Sequence, residues 1–173
     1  MDGLGKVLII NGCSQGKLPH PAPTRDFYTG QLFHMIRKFS ELHEFDQRIV
    51  SGKYSLLTMD DLVDPYDMKI STKADVKRVQ DKCLYRLVEL HKAYDSIIVI
   101  LGKKYREVIA PILDAKCCVI YEKRAFLNCY ADYIVNLHYL ICIRFYKKQI
   151  ITAYKNLVVF RHGRSVHQFC AIF

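Results

Sequence analysis

The chain has 173 residues, 51% of them hydrophobic and 25% charged, with 26 Lys plus Arg against 17 Asp plus Glu and a net charge of +9. That length fits one domain, and the apolar fraction excludes a disordered chain. A core of this size needs neither a disulfide nor a metal to hold it, so no cofactor and no metal site is expected.

The charge is unevenly placed. From Tyr130 onward Asp132 is the sole acidic residue, against Arg144, Lys147, Lys148, Lys155, Arg161 and Arg164. Six basic residues and one acidic give this tail +5, leaving +4 for residues 1–129. A basic surface favours polyanionic partners. The seven cysteines are odd in number, none shows C-x-x-C spacing, and Cys117 and Cys118 are adjacent. Free thiols in a reducing compartment follow, which points to a cytoplasmic protein. The N-terminus has no signal-peptide pattern. The longest apolar stretch, 133–145, contains Asn136, His138 and Arg144, falls short of a membrane span, and predicts no membrane partner.

In chain order, Val7-Leu8-Ile9-Ile10 reads as a strand buried on both faces and ended by Asn11-Gly12. A loop with prolines at 19, 21 and 23 follows. A helix is predicted from near Tyr28, with Leu32, Met35, Ile36, Phe39 and Leu42 as its apolar stripe. Arg48 to Ser51 reads as a second strand, followed by a turn and Leu56-Leu57. Pro65-Tyr66-Asp67 marks a loop. Thr72-Lys73-Ala74-Asp75 fits a capping box that starts a long helix with the stripe Val76, Val79, Cys83, Leu87 and Leu90. Ile97 to Leu101 is the clearest buried strand. Gly102 ends it, Tyr105 to Leu113 forms a short helix bent at Pro111, and Cys117 to Tyr121 is the fourth strand.

Strands alternating with helices predict an α/β fold, a single three-layer domain with a mainly parallel sheet over residues 1–121. Residues 122–173 form a basic, apolar-rich C-terminal extension whose runs read equally as strand or helix. Oligomeric state is not legible. Ligands of such sheets bind in the loops after the carboxyl ends of strands. Those loops carry Gly12-Cys13-Ser14, Ser51-Gly52-Lys53-Tyr54 and Gly102-Lys103-Lys104-Tyr105.

Gly12-Cys13-Ser14-Gln15-Gly16-Lys17 falls one residue short of a Walker A loop and has Leu18 where the metal-binding hydroxyl belongs. It can hold an anion without being a nucleotide triphosphatase loop. Cys13, near a Lys, is either a nucleophile or a pocket-lining thiol. Asp64-Pro65-Tyr66 resembles the tripeptide of uracil-DNA glycosylases that carries a water-activating Asp, but the other signatures of that family are absent. His162 and His167 lack a third ligand at metal-binding spacing.

Several segments together resemble one family. Asp26-Phe27-Tyr28-Thr29-Gly30-Gln31-Leu32-Phe33 resembles a D-x-Y-x-G-x-x-F element. Arg48 to Leu57 resembles an L-S-[AG]-K-Y-G-L-L signature, with Ser55 in place of its Gly. Asp61 to Asp67 resembles an I-x-P-Y-D segment, Ile98 to Tyr105 a strand ending in G-x-x-Y, and Cys13-Ser14-x-x-Lys17 a C-S-x-x-K opening. This is the pattern of a bacterial, archaeal and viral domain of unknown function, similar to the peroxide-stress YaaA family.

The resemblance spans roughly residues 6–121 and implies a compact α/β domain. It also implies association with DNA or nucleotides in a stress response, since YaaA-type proteins are associated with DNA protection under oxidative stress, DNA binding and control of intracellular iron. On this reading Cys13, Ser14, Lys17, Tyr28, Gly30, Ser51, Gly52, Lys53, Tyr54, Pro65, Tyr66, Gly102 and Tyr105 line a base- or phosphate-binding pocket. The tyrosines supply stacking faces and the lysines phosphate-directed charge. Two alternatives stand beside it. One is an enzyme of glycosidic cleavage or base exchange on a nucleoside, with Asp64 or Asp67 as general base or oxocarbenium stabiliser. The other is a non-catalytic interaction module.

Overall fold

The computed structural model of the chain describes residues 5–119. Its sheet has five strands in the order β4-β3-β1-β6-β7, where β1 is Val7–Gly12, β3 Asp46–Ser51, β4 Ser55–Leu57, β6 Ser96–Ile100 and β7 Cys117–Val119. The neighbours β3, β1, β6 and β7 are parallel, and only β4 runs antiparallel, as the return strand of a hairpin with β3. The α/β expectation therefore holds. The central β1 is paired on both sides, which is why Val7 to Ile10 form an unbroken apolar run with no polar alternation.

Side chains alternate across the sheet and build two apolar layers. Leu8, Ile10, Val50, Ile97, Val99 and Leu101 join Val76, Val79, Cys83 and Leu87 of α3 (Lys73–Ala93) and Val108 and Ile109 of α4 (Lys103–Ile109). Ile49 and Leu57 join Phe27 of α1 (Thr24–Phe27), Tyr28 and Phe33 of α2 (Gln31–Leu42) on the other face. The capping box at Thr72 is present: its hydroxyl accepts from the Asp75 amide at 3.1 Å, and the Asp75 carboxylate accepts from the Thr72 amide at 3.0 Å. The chain bends at Pro111 as expected, through a 3-10 turn over Ala110–Ile112 that follows α4. Cys13, Cys83 and Cys117 are free thiols. No described helix is long and apolar enough to cross a membrane.

Three details differ from the expected elements. Tyr28 does not start the second helix; it lies extended, bridged to Lys17, and α2 begins after Gly30. The buried face of α2 is Phe33, Ile36, Phe39 and Ser40, whereas Leu42 is 69% exposed. Two two-residue strands, β2 (Ala22–Pro23) and β5 (Leu62–Val63), pair antiparallel as a small second sheet. They tie the proline loop to the segment that leads into Pro65-Tyr66. The predicted strand residues beyond Val119, and the whole extension, lie outside the described residues.

Connections from β1 run first to β3 on one side and then to β6 on the other, so the order of the sheet reverses between β1 and β6. Such a reversal leaves a crevice outside the carboxyl ends of the two strands. Residues 12–17 and 101–105 flank it, and the β3–β4 turn stands beside it.

Candidate functional site

Tyr66 is the hub of the cluster at this end of the sheet. Its hydroxyl shares hydrogen bonds with the Tyr28 hydroxyl at 2.7 Å and with Ser51 Oγ at 2.8 Å. Ser51 Oγ also accepts from the Tyr54 amide at 3.2 Å, which fixes the turn that follows β3. The Tyr66 ring stacks on Phe27 at 6.3 Å and 8°, and the Tyr54 ring meets it edge-on at 5.5 Å and 82°.

Two ammonium groups lie over this ring: Lys17 Nζ at 4.7 Å from the centroid and Lys53 Nζ at 5.8 Å. Lys53 is also 4.9 Å from the Tyr54 ring. The negative face of an aromatic ring attracts such cations. The result is two positive charges gathered at one aromatic platform by segments 36 positions apart in sequence. Lys17 is held in place because its loop pairs with the chain at Phe27–Thr29, with Leu18 N donating to Phe27 O at 2.9 Å and Thr29 N to Gly16 O at 3.0 Å.

Cys13 sits across the crevice from α4. Its amide donates to Val50 O at 3.1 Å, and its Sγ lies 3.6 Å from the Tyr105 hydroxyl. Burial, with an added contribution from the nearby Cys13, pushes the Tyr66 and Tyr105 hydroxyls well above the ordinary tyrosine range. Burial likewise pushes Tyr28 up to about 12. All three are therefore neutral hydroxyls at neutral pH, able to donate as well as accept.

The remaining sequence-expected residues divide. Tyr28 is fully buried, its ring against Phe27 and Phe33, so it presents only its hydroxyl to the cluster and no stacking face. Ser51 is equally buried. Gly52 is close-packed against its own chain: a Cβ there would meet Met68 O at 2.6 Å, and its carbonyl accepts from the Arg78 guanidinium at 3.2 Å. A Cβ on Gly30 would collide with the Ser14 hydroxyl, so this glycine lets the loop after β1 approach the start of α2. Asp64 is exposed and borders Tyr54, whose hydroxyl accepts from the Asp64 amide at 3.2 Å and lies 3.5 Å from Oδ2. Pro65 and Asp67 are exposed, and among the described residues Asp67 shares no hydrogen bond with the cluster. Gly102 caps α4, and a Cβ there would meet nothing within 4 Å.

Two features escaped the sequence reading. Phe27 and Arg78 brace the platform and the β3–β4 turn from outside it, and no local motif signals either. At the opposite, amino end of the sheet, His91, Asp114 and Cys117 bring an imidazole, a carboxylate and a thiol within 4.8 Å of one another. An open depression of about 420 Å³ also lies at that end, beside the start of β3. Its arginines 25, 37 and 48 are offset by Glu41, Glu44, Asp46 and Asp60, so it offers no net attraction for an anion.

Neither the curated proteins nor the solved structures include a significant match to this chain. Residues 7–128, more than half of the sequence and the whole of the sheet just described, match the family of unknown function DUF6884, and the chain belongs to that family.

Proposed function

We propose that the protein binds nucleotides or nucleic acid at the crevice beside Tyr66, with Lys17 and Lys53 meeting phosphate oxygens and Tyr54 and Tyr66 meeting a base. The observation that carries this reading is the convergence of two ammonium groups on one tyrosine platform at the carboxyl end of the sheet. Lysines neutralise phosphate charge without reading sequence, and aromatic faces accept any base. The neutral hydroxyls of Tyr66 and Tyr105 and the Cys13 thiol add donors for a base edge or a sugar. From the motif resemblance to YaaA-type proteins alone, we infer an association with DNA in a stress response.

The experiment is fluorescence anisotropy with labelled single-stranded DNA, duplex DNA and RNA, and competition by free nucleotides, across a salt series. The expected result is an affinity that falls steeply with salt. Lys17→Ala and Lys53→Ala each weaken binding and flatten the log–log salt slope by about one. A salt-independent response, or lysine variants that bind like the parent, overturns the reading.

A second reading is glycosidic chemistry on a nucleoside. It draws on Asp64, an exposed carboxylate held beside Tyr54 at the edge of the same cluster. Turnover on a nucleoside panel that Asp64→Asn abolishes and Asp67→Asn spares would establish it; turnover left unchanged by both substitutions would exclude it.

A further inference from the structure

We propose that His91, Asp114 and Cys117 form a binding site for a borderline-soft divalent cation of the Zn²⁺ class, at the amino end of the sheet and separate from the Tyr66 cluster. His91 lies in the last turn of α3, while Asp114 occupies the turn between the 3-10 helix and β7 and Cys117 is the first residue of that strand. The 3.1 Å hydrogen bond from the Cys117 amide to the Asp114 carbonyl closes that turn. It places two donors three positions apart on one side of a tight knuckle, the arrangement by which short ligand spacings hold zinc.

The donor distances fit. His91 Nε2 is 3.0 Å from Asp114 Oδ2, Cys117 Sγ is 3.7 Å from Asp114 Oδ1, and all three ligand atoms lie within 4.8 Å of one another. Tetrahedral bonds of about 2.0–2.3 Å require ligand atoms roughly 3.3–3.8 Å apart, so small side-chain rotations suffice. The surroundings hold the donors in place. Asp114 Oδ1 also accepts from the Lys116 amide at 3.0 Å, which orients the carboxylate. The Lys116 ammonium is engaged by the carbonyls of His91 and Tyr94, clamping the end of α3 against this turn.

The Cys117 thiol also donates to the Ile112 carbonyl at 3.3 Å, a hydrogen bond that metal binding would replace. Imidazole, carboxylate and thiolate together select Zn²⁺ over Mg²⁺ or Ca²⁺, which take oxygen donors. Binding releases the Cys117 thiol proton to solvent, His91 coordinates through Nε2 as neutral imidazole, and the fourth position is open to water. A bound cation would cross-link α3 to the sheet edge at β7.

The test is a titration of the full chain, thiols reduced, with Co²⁺ followed by Zn²⁺. The expected result is a thiolate-to-cobalt charge-transfer band with four-coordinate visible absorption, both displaced by Zn²⁺. Cys117→Ala abolishes the charge-transfer band and Cys118→Ser keeps it. His91→Gln and Asp114→Asn each weaken binding at least about tenfold, the loss that even outer partners of a metal ligand cause. No charge-transfer band, or one that survives Cys117→Ala, overturns the proposal. Should Cys117→Ala fail to fold by circular dichroism, the near-isosteric Asp114→Asn decides: parent-like cobalt affinity in that variant overturns it equally.

Discussion

Ser55 holds a φ of 67°, in the left-handed region that glycine occupies without strain. It is the position at which the resembled K-Y-G-L-L pattern carries Gly, so the pattern records a backbone requirement that this chain meets with a serine. Ser55→Gly is expected to raise stability by about 0.5–1 kcal/mol, seen as a higher denaturant midpoint at unchanged slope. Gly52 is the opposite case. Its φ is ordinary but the Met68 carbonyl leaves no room for a Cβ, so Gly52→Ala costs about 1–3 kcal/mol through overpacking. Tyr66→Phe removes the partner shared by Tyr28 and Ser51 and costs about 0.5–1.5 kcal/mol, since Ser51 keeps its hydrogen bond from the Tyr54 amide. Buried tyrosine hydroxyls and a buried thiol set an alkaline limit. Tyr28 and Tyr94 are pushed up to about 12, and Cys83 to about 11, each chiefly by burial. Raised folded-state values mean that stability is full below the unfolded values and lost as pH rises past them. Thermal midpoints should therefore fall above about pH 10, and Tyr66→Phe should blunt that fall. The residues of the site were legible in the sequence as types and spacings. Their exposure was not: nothing local says that the Tyr28 ring is walled in by Phe27 and Phe33 while Tyr66 lies under two lysines.

At the level of elements, the strands β1, β3, β6 and β7 were legible because buried parallel strands read as short apolar runs between turn residues. So was α3, through its cap and stripe. The start of α2 was not, because Phe27 and Thr29 are engaged by backbone hydrogen bonds with Leu18 and Gly16, which hold Tyr28 extended opposite Lys17. The two-residue strands β2 and β5 carry too little pattern for any periodicity to show. Helix α2 ends with Glu44 in the left-handed conformation, with Phe45 N donating to Ser40 O at 2.9 Å and the Phe45 ring against Phe39. This is a Schellman closure with Glu at the position that favours glycine, and Glu44→Gly should add up to about 1 kcal/mol, read as a higher thermal midpoint. At the other helix, Thr72→Ala removes the cap acceptor and costs about 1 kcal/mol. The reciprocal hydrogen bonds from Thr72 and Ser71 hold the Asp75 carboxyl well below the usual carboxylate range. Its depressed folded-state value gives a contribution that is full above the ordinary carboxylate pKa and lost on acidification through the folded one. An acid melt of the Asp75→Asn variant should be flatter than that of the parent in this range.

For the whole molecule, the +9 divides into +5 on residues 130–173 and +4 on the remainder. Replacing Arg161 and Arg164 with Gln should weaken nucleic-acid binding evenly across sequences, whereas Lys17→Ala and Lys53→Ala should also alter discrimination among free nucleotides. Competition anisotropy separates the two effects. The metal-ligand trio shows where sequence reading ends: His91 and Asp114 are 23 positions apart, and only the return of the chain from α4 to the edge of the sheet brings them together. Helix α3 reaches the site by another route. Arg78 donates to the Gly52 carbonyl at 3.2 Å and Arg86 to the Leu56 carbonyl at 3.1 Å, pinning both arms of the β3–β4 hairpin. The turn that presents Lys53 and Tyr54 thus inherits part of its posture from a helix that packs on one face of the sheet. In a selection for altered ligand preference, second-site suppressors should accumulate at positions 78 and 86 as readily as in the loop itself.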